Sequence, residues 1–165
     1  MYEAVSYAIG FLITIPLITF LHELGHAIPQ LIRGYRVVIQ MGNLENTVKF
    51  KLGKLYIYGA PFSMFNGFCS ISSKGGKNRK VLILLCGPIF SAVLALCFYW
   101  LSFQNLGYWT NFQVNLALYF SAFQALLTLI PIKYPDFFGG YAGTKSDGLQ
   151  AFELVKKMVE RRRVA

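Results

Sequence analysis

His22-Glu23-Leu24-Gly25-His26 holds the residues of this chain with the clearest capacity for chemistry, and it falls at the end of an apolar run that begins near Ala4. On a helix, residues four apart project from nearly the same face, so His22 and His26 can fill two corners of a tetrahedral zinc site. Glu23 stands one position round, where a carboxylate can take a proton from a metal-activated water.

The five-residue pattern also occurs by chance on solvated helices that bind no metal. Its setting here argues for the metal. An ionisable group near the bilayer centre costs roughly 2.5–3.5 kcal/mol on insertion scales, and a Glu with two His at one helical level has no cheap structural role there. Coordination offsets that cost.

The elements that must position these residues are membrane helices. The chain has 165 residues, 55% hydrophobic and only 14% charged, which is unlike a soluble globule. Three stretches, residues 5–32, 81–103 and 114–132, are long enough to cross about 30 Å of hydrocarbon. The first is not read as a signal peptide, because Met1-Tyr2-Glu3-Ala4 lacks a basic start and no small-residue cleavage site follows. The sequence thus predicts a mainly α membrane protein: a single domain over 1–165, with three spans, a β-rich loop at 36–72 and a C-terminal amphipathic helix.

The net charge of +9 invites a nucleic-acid partner, but the distribution of the sixteen Lys and Arg excludes one. None precedes Arg33 and none lies between Val81 and Ile132; nine fall from Arg33 to Lys80 and seven from Lys133 onward. The positive-inside rule makes both basic segments cytoplasmic and the N-terminus and the 104–111 link external. The zinc motif then lies on the cytoplasmic half of the first span. The 74–80 segment and Arg161-Arg162-Arg163 read as anchors at an anionic inner leaflet of the lipid bilayer.

Between the first two spans, Tyr35–Gln40, Thr47–Leu52 and Leu55–Tyr58 are short β-prone pieces, with turns at Gly42-Asn43 and Gly53-Lys54. Phe50 to Leu55 alternates as a half-buried hairpin would, and 61–68 reads as an apolar loop dipping back to the membrane. Such a sheet either caps the span ends or offers an edge on which an extended peptide adds as a strand. Stretches 73–80 and 138–148 read as linkers. Gly87-Pro88 falls one turn into the second predicted span, where it would serve helix packing. Asp147-Gly148 opens a helix whose apolar positions 149, 152, 155 and 159 suit a membrane surface. Cys69, Cys86 and Cys97 have no metal spacing and read as small buried hydrophobes.

HELGHA in the first span, Gly-Pro in the next and Asp-Gly after a Pro-containing third span resemble, in that order, the site-2 protease family of intramembrane zinc metallopeptidases. The resemblance covers about residues 5–155. It implies Zn2+ as cofactor, His22 and His26 as metal ligands, Glu23 as catalytic base and Asp147 as third protein ligand, leaving a fourth position open for water. Two departures stand out. The family usually carries Asn three residues after the Pro, where this chain has Ser91. Its close-spaced Asn-Pro-Pro-Asp-Gly pattern is stretched here, with Asp136 to Ser146 inserted ahead of Asp147. The insertion makes Asp136, just past Pro135, a rival ligand, and helix capping is an alternative role for Asp147.

The resemblance implies a zinc endopeptidase that cuts in or near transmembrane segments of membrane proteins or peptides. The alternative is a non-catalytic zinc-containing adaptor that binds partners through its cytoplasmic β-loop. A metal-transport role lacks a second ionisable cluster to mark a path. Substrate identity and oligomeric state are not encoded in any motif.

Overall fold

The computed structural model describes residues 2–42, 48–59, 65–72 and 76–164. It is mainly helical, with a small four-stranded sheet inserted between the first and second long helices. In chain order the elements are α1 (Tyr2–Ile9), a π-helical turn (Gly10–Thr14), α2 (Ile15–Ile32), β1 (Val37–Met41), β2 (Val48–Leu52), β3 (Leu55–Gly59), β4 (Gly67–Cys69), α3 (Gly76–Ser102), α4 (Tyr108–Leu129), a 3-10 helix (Asp136–Tyr141) and α5 (Asp147–Val164).

Among the described residues, three helical stretches, Ala4–Ile32, Gly76–Ser102 and Tyr108–Leu129, are long and apolar enough to cross a membrane. Within the first, Pro16 has no N–H for the carbonyl four residues back, and the chain winds through the π turn just before it. Gly10 lies in that turn because α4 runs close by: a Cβ there would meet Leu116 Cδ2 at 2.5 Å. The outward residues of this stretch, Phe11, Leu12 and Leu17 among them, are half exposed or more, as lipid-facing side chains must be. The inward face of α2 is polar: Thr19, His22, Glu23, His26 and Gln30 are all buried. That inversion of the usual pattern marks a functional interior.

The sheet order is β2-β3-β1-β4. β2 and β3 form the hairpin expected at Gly53-Lys54, with Leu52 opposite Leu55. β1 pairs with β3 in parallel and with β4 antiparallel. Val37, Ile39, Met41 and Leu55 bury against Ala27, fixing the sheet on the last turns of α2.

Several boundaries differ from those the sequence predicts. Gly67-Phe68, expected in a loop, belongs to strand β4, because Gly67 to Cys69 find ladder partners on β1. Residues 61–64 of that expected loop, Asn43 of the Gly42-Asn43 turn, Thr47 of the second β-prone piece and residues 73–75 of the expected linker lie outside the described residues. Phe50 and Leu52 are 58% and 65% exposed, so the hairpin's outer strand is not half buried; β2 is an edge strand of the sheet. From Gly76 on, the 73–80 linker is helix, which places Gly87-Pro88 in mid-helix rather than at its start. The helix that carries the third expected span, 114–132, runs from Tyr108 to Leu129, since Tyr108-Trp109-Thr110 is helical without being aliphatic. Cys97 is exposed on α3 and Cys69 and Cys86 are only partly buried, so none is a buried core residue. On α5, Ala151 is buried, whereas Phe152, Val155 and Val159 stay exposed, as a stripe meant for a membrane surface would.

Candidate metal centre

His22 and His26 sit one turn apart on the buried face of α2, their ring centroids 4.9 Å apart and their planes nearly perpendicular. Each ring is fixed from behind. His26 Nδ1 donates to the Ile83 carbonyl at 2.7 Å; a carbonyl can only accept, so His26 carries its proton on Nδ1 and turns the Nε2 lone pair inward. His22 Nδ1 meets the Ser91 hydroxyl at 2.8 Å. Both contacts come from α3, which approaches α2 closely through paired glycines. A Cβ on Gly25 would stand 2.7 Å from Phe90 Cβ and 2.9 Å from the Cys86 carbonyl, and one on Gly87 would overlap the His26 ring. The Gly of HELGH and the Gly of Gly-Pro are thus two sides of one contact.

Asp147 arrives from the start of α5. The inserted residues do not push it away, because they fold into a loop pinned at its neck: the Tyr134 N–H donates to the Thr144 carbonyl at 2.9 Å, the Gly143 N–H to the Tyr134 carbonyl at 3.0 Å, and Lys133 bridges Lys145. Ser146, 1% exposed, then ties α5 to the end of α4. Its hydroxyl donates to the Ile130 carbonyl at 2.7 Å and accepts from the Leu149 N–H at 3.1 Å, capping the helix. Gly148 rests on the Leu129 carbonyl, where any Cβ would collide. The Asp-Gly pair therefore divides its work: the glycine lets α5 reach α4, and the aspartate faces the histidines.

The three inward donor atoms form an almost equilateral triangle. His22 Nε2 lies 3.3 Å from His26 Nε2, and Asp147 Oδ2 lies 3.3 Å from each. Tetrahedral zinc with bonds of about 2.0–2.1 Å separates its donors by about 3.3–3.4 Å. Two imidazole nitrogens and a carboxylate oxygen at these separations fit such an ion. Asp136, the rival, is exposed in the 3-10 helix and lies outside this group. Burial would raise the Asp147 carboxyl, but the His22 and His26 rings that face it prevail and hold it down at about 2, so it is a carboxylate throughout the physiological range.

Glu23 is 5% exposed and points beneath β4. Gly67 lies directly on it: a Cβ at 67 would be 2.6 Å from Glu23 Cγ. β4 is held there by Gln30, whose amide donates to the Ser70 carbonyl at 3.1 Å and whose oxygen accepts from the Ser72 N–H at 2.9 Å. His22, Glu23, His26 and Asp147 line one cavity of about 640 Å³, walled by aromatic side chains such as Phe65, Phe120 and Phe138. Tyr134 and Tyr141 lie in the same cavity; burial, with the charges of Asp147 and Glu23, pushes the Tyr134 phenol up to about 12 and raises that of Tyr141 as well. Burial, with the same two charges, also raises the Cys69 thiol, leaving it a poor nucleophile.

A family model described as peptidase family M50 matches residues 10–161, nearly the whole chain and all of the site. The chain belongs to peptidase family M50, the site-2 protease family. No individual curated protein matches it. Membership of M50 identifies a membrane metallopeptidase family, one that is generally zinc-dependent. Within this M50 chain, sequence reasoning pointed to His22, Glu23, His26 and Asp147 as the site, and the fold brings these four around one cavity. It did not find Ile83, whose contribution is a backbone carbonyl and leaves no residue-type signal. Ser146 had a signal in the Ser-Asp-Gly opening of α5, and Gln124, a polar residue in an apolar run, had one too.

Proposed function

We propose that the chain is a zinc-dependent intramembrane endopeptidase that hydrolyses peptide bonds in or near transmembrane segments of membrane proteins or peptides. The observation that carries this reading is the 3.3 Å triangle of His22, His26 and Asp147 donors with Glu23 beside it in one cavity. His22, His26 and Asp147 would hold the ion. When bound, zinc supplies Lewis acidity: it makes a water acidic near neutral pH and steadies negative charge developing on the scissile carbonyl. Glu23, on the same helix as both histidines, takes the proton of the attacking water and returns it to the leaving amine. Burial of the site beneath β4 excludes bulk water and strengthens each of these interactions.

The substrate must be extended when cut, since helical hydrogen bonds shield its carbonyls. β4 is the edge strand nearest Glu23. Asn66 and Ser70 make their backbone bonds to β1, so Gly67 between them turns its backbone groups to the outer edge, where an added strand would pair. Substrates with helix-breaking residues are favoured on this account. The charge map supports a cytoplasmic opening of the site, with Lys77, Arg79 and Lys80 at the start of α3 beside an anionic inner leaflet.

The test is zinc content and peptide cleavage of detergent-purified protein beside Glu23→Gln. The variant should keep about one zinc per chain and lose about 10²–10⁴-fold in cleavage rate. Zinc at full occupancy with no Glu23-dependent cleavage of any membrane peptide would replace this reading with the adaptor.

A further inference from the structure

Behind His22 lies a short polar chain that crosses all three long helices. Ser91 on α3 is fully buried; its hydroxyl is 2.8 Å from His22 Nδ1 and 3.3 Å from Gln124 Oε1 on α4. Gln124 is 9% exposed and lines the same cavity as His22. Three polar groups in file inside a helical bundle are costly unless each bond is made.

The polarity of this chain is set by chemistry. If His22 Nε2 faces a metal, it holds a lone pair, and the neutral ring carries its proton on Nδ1. Nδ1–H then donates to the Ser91 oxygen. The Ser91 O–H, with its oxygen so used, donates onward to Gln124 Oε1. Every group meets a partner in the one direction that leaves Nε2 bare. In the opposite direction Ser91 would have to donate to His22, the proton would sit on Nε2, and the metal position would be blocked.

We propose that Ser91 and Gln124 are positioning residues for the metal centre, a relay that locks His22 in its metal-binding tautomer and holds its ring plane. Ser91 is the position at which the chain departs from the Asn of the related pattern. Serine brings a single hydroxyl where asparagine would bring a carboxamide, and Gln124 supplies a carboxamide from α4 as the second partner of that hydroxyl. The proposal rests on the metal-centre reading, and metal affinity measures it without any cleavage assay.

Threonine and valine have nearly one shape and differ in the hydroxyl, so Ser91→Thr against Ser91→Val separates the hydrogen bond from packing. The experiment is zinc affinity of the detergent-purified chain by chelator competition. Outer-shell partners of a metal-bound His are typically worth 10–100-fold in affinity, so Ser91→Thr should bind zinc at least about tenfold more tightly than Ser91→Val. Gln124→Leu should weaken zinc by a smaller factor, and Ser91→Val/Gln124→Leu should cost no more than Ser91→Val alone, because both break one file. Equal affinity of the Thr and Val variants, or fully additive losses in the double variant, would overturn the relay. A wild-type chain that binds no zinc overturns the metal reading itself and is seen in the reference arm before any variant is compared.

Discussion

Asp147 follows His22 by 125 positions, yet its Oδ2 lies 3.3 Å from His22 Nε2. The contact closes the molecule: the inserted loop returns to its own neck and brings the start of α5 to α2. If the carboxylate completes the donor set, Asp147→Ala should lower zinc affinity on the order of a hundredfold or more. Asp136→Ala, on the exposed 3-10 helix, should leave zinc content unchanged. Metal analysis of the two purified variants decides between the rival aspartates, and the reverse pattern would move the third ligand to Asp136.

Gly148 has no room for a side chain, since any Cβ would enter the Leu129 carbonyl. Gly148→Ala should therefore push α5 off the end of α4, cost about 1–3 kcal/mol as overpacking does, and carry Asp147 away from the histidines. Gly53 is the control. Its φ of +58 makes alanine strained there too, but nothing lies within 4 Å and it is remote from the site. Both variants should melt earlier, and Gly148→Ala alone should lose zinc.

An ion held between α2 and α5 binds the folded chain and not the unfolded one. Zinc at a hundred times its Kd would add about 2.7 kcal/mol of stability. Chelation should therefore lower the melting temperature of wild type and of Glu23→Gln alike. It should have little effect on Asp147→Ala, whose site is already open. A thermal scan with and without chelator measures all three.

Sequence periodicity located the helix that carries the histidines, because a polar triad on an apolar run stands out against its neighbours. Hydropathy does not mark the starts of the other two long helices, where Lys77, Arg79 and Lys80, and later Tyr108 and Trp109, belong to the helix without being aliphatic. β4 escaped for another reason. Three residues of strand have no period to read, and Gly67 owes its place to a partner strand and to Glu23 beneath it. The parts of the site contributed by backbone, the Ile83 carbonyl and the glycine contacts, depend on how helices cross, which no single segment specifies.

Tyr141 occupies the strand edge that a substrate would need. Its hydroxyl accepts from the Gly67 N–H at 2.7 Å and donates to the Gly67 carbonyl at 3.2 Å, so one side chain satisfies both outward backbone groups, while its ring packs 5.3 Å from that of Phe68. A peptide adding to β4 has to displace it. Tyr141→Phe keeps the ring and removes both bonds, each worth about 0.5–1.5 kcal/mol, so KM for a membrane-peptide substrate should fall roughly tenfold with kcat little changed. Because burial and the Glu23 charge raise the Tyr141 phenol above its ordinary value, its hydroxyl stays protonated and the gain should be the same at pH 6 and pH 9. Steady-state kinetics on a fluorogenic peptide separates the outcomes. A fall in kcat at constant KM would mean that the hydroxyl acts on the reacting carbonyl and that the strand edge is not its target.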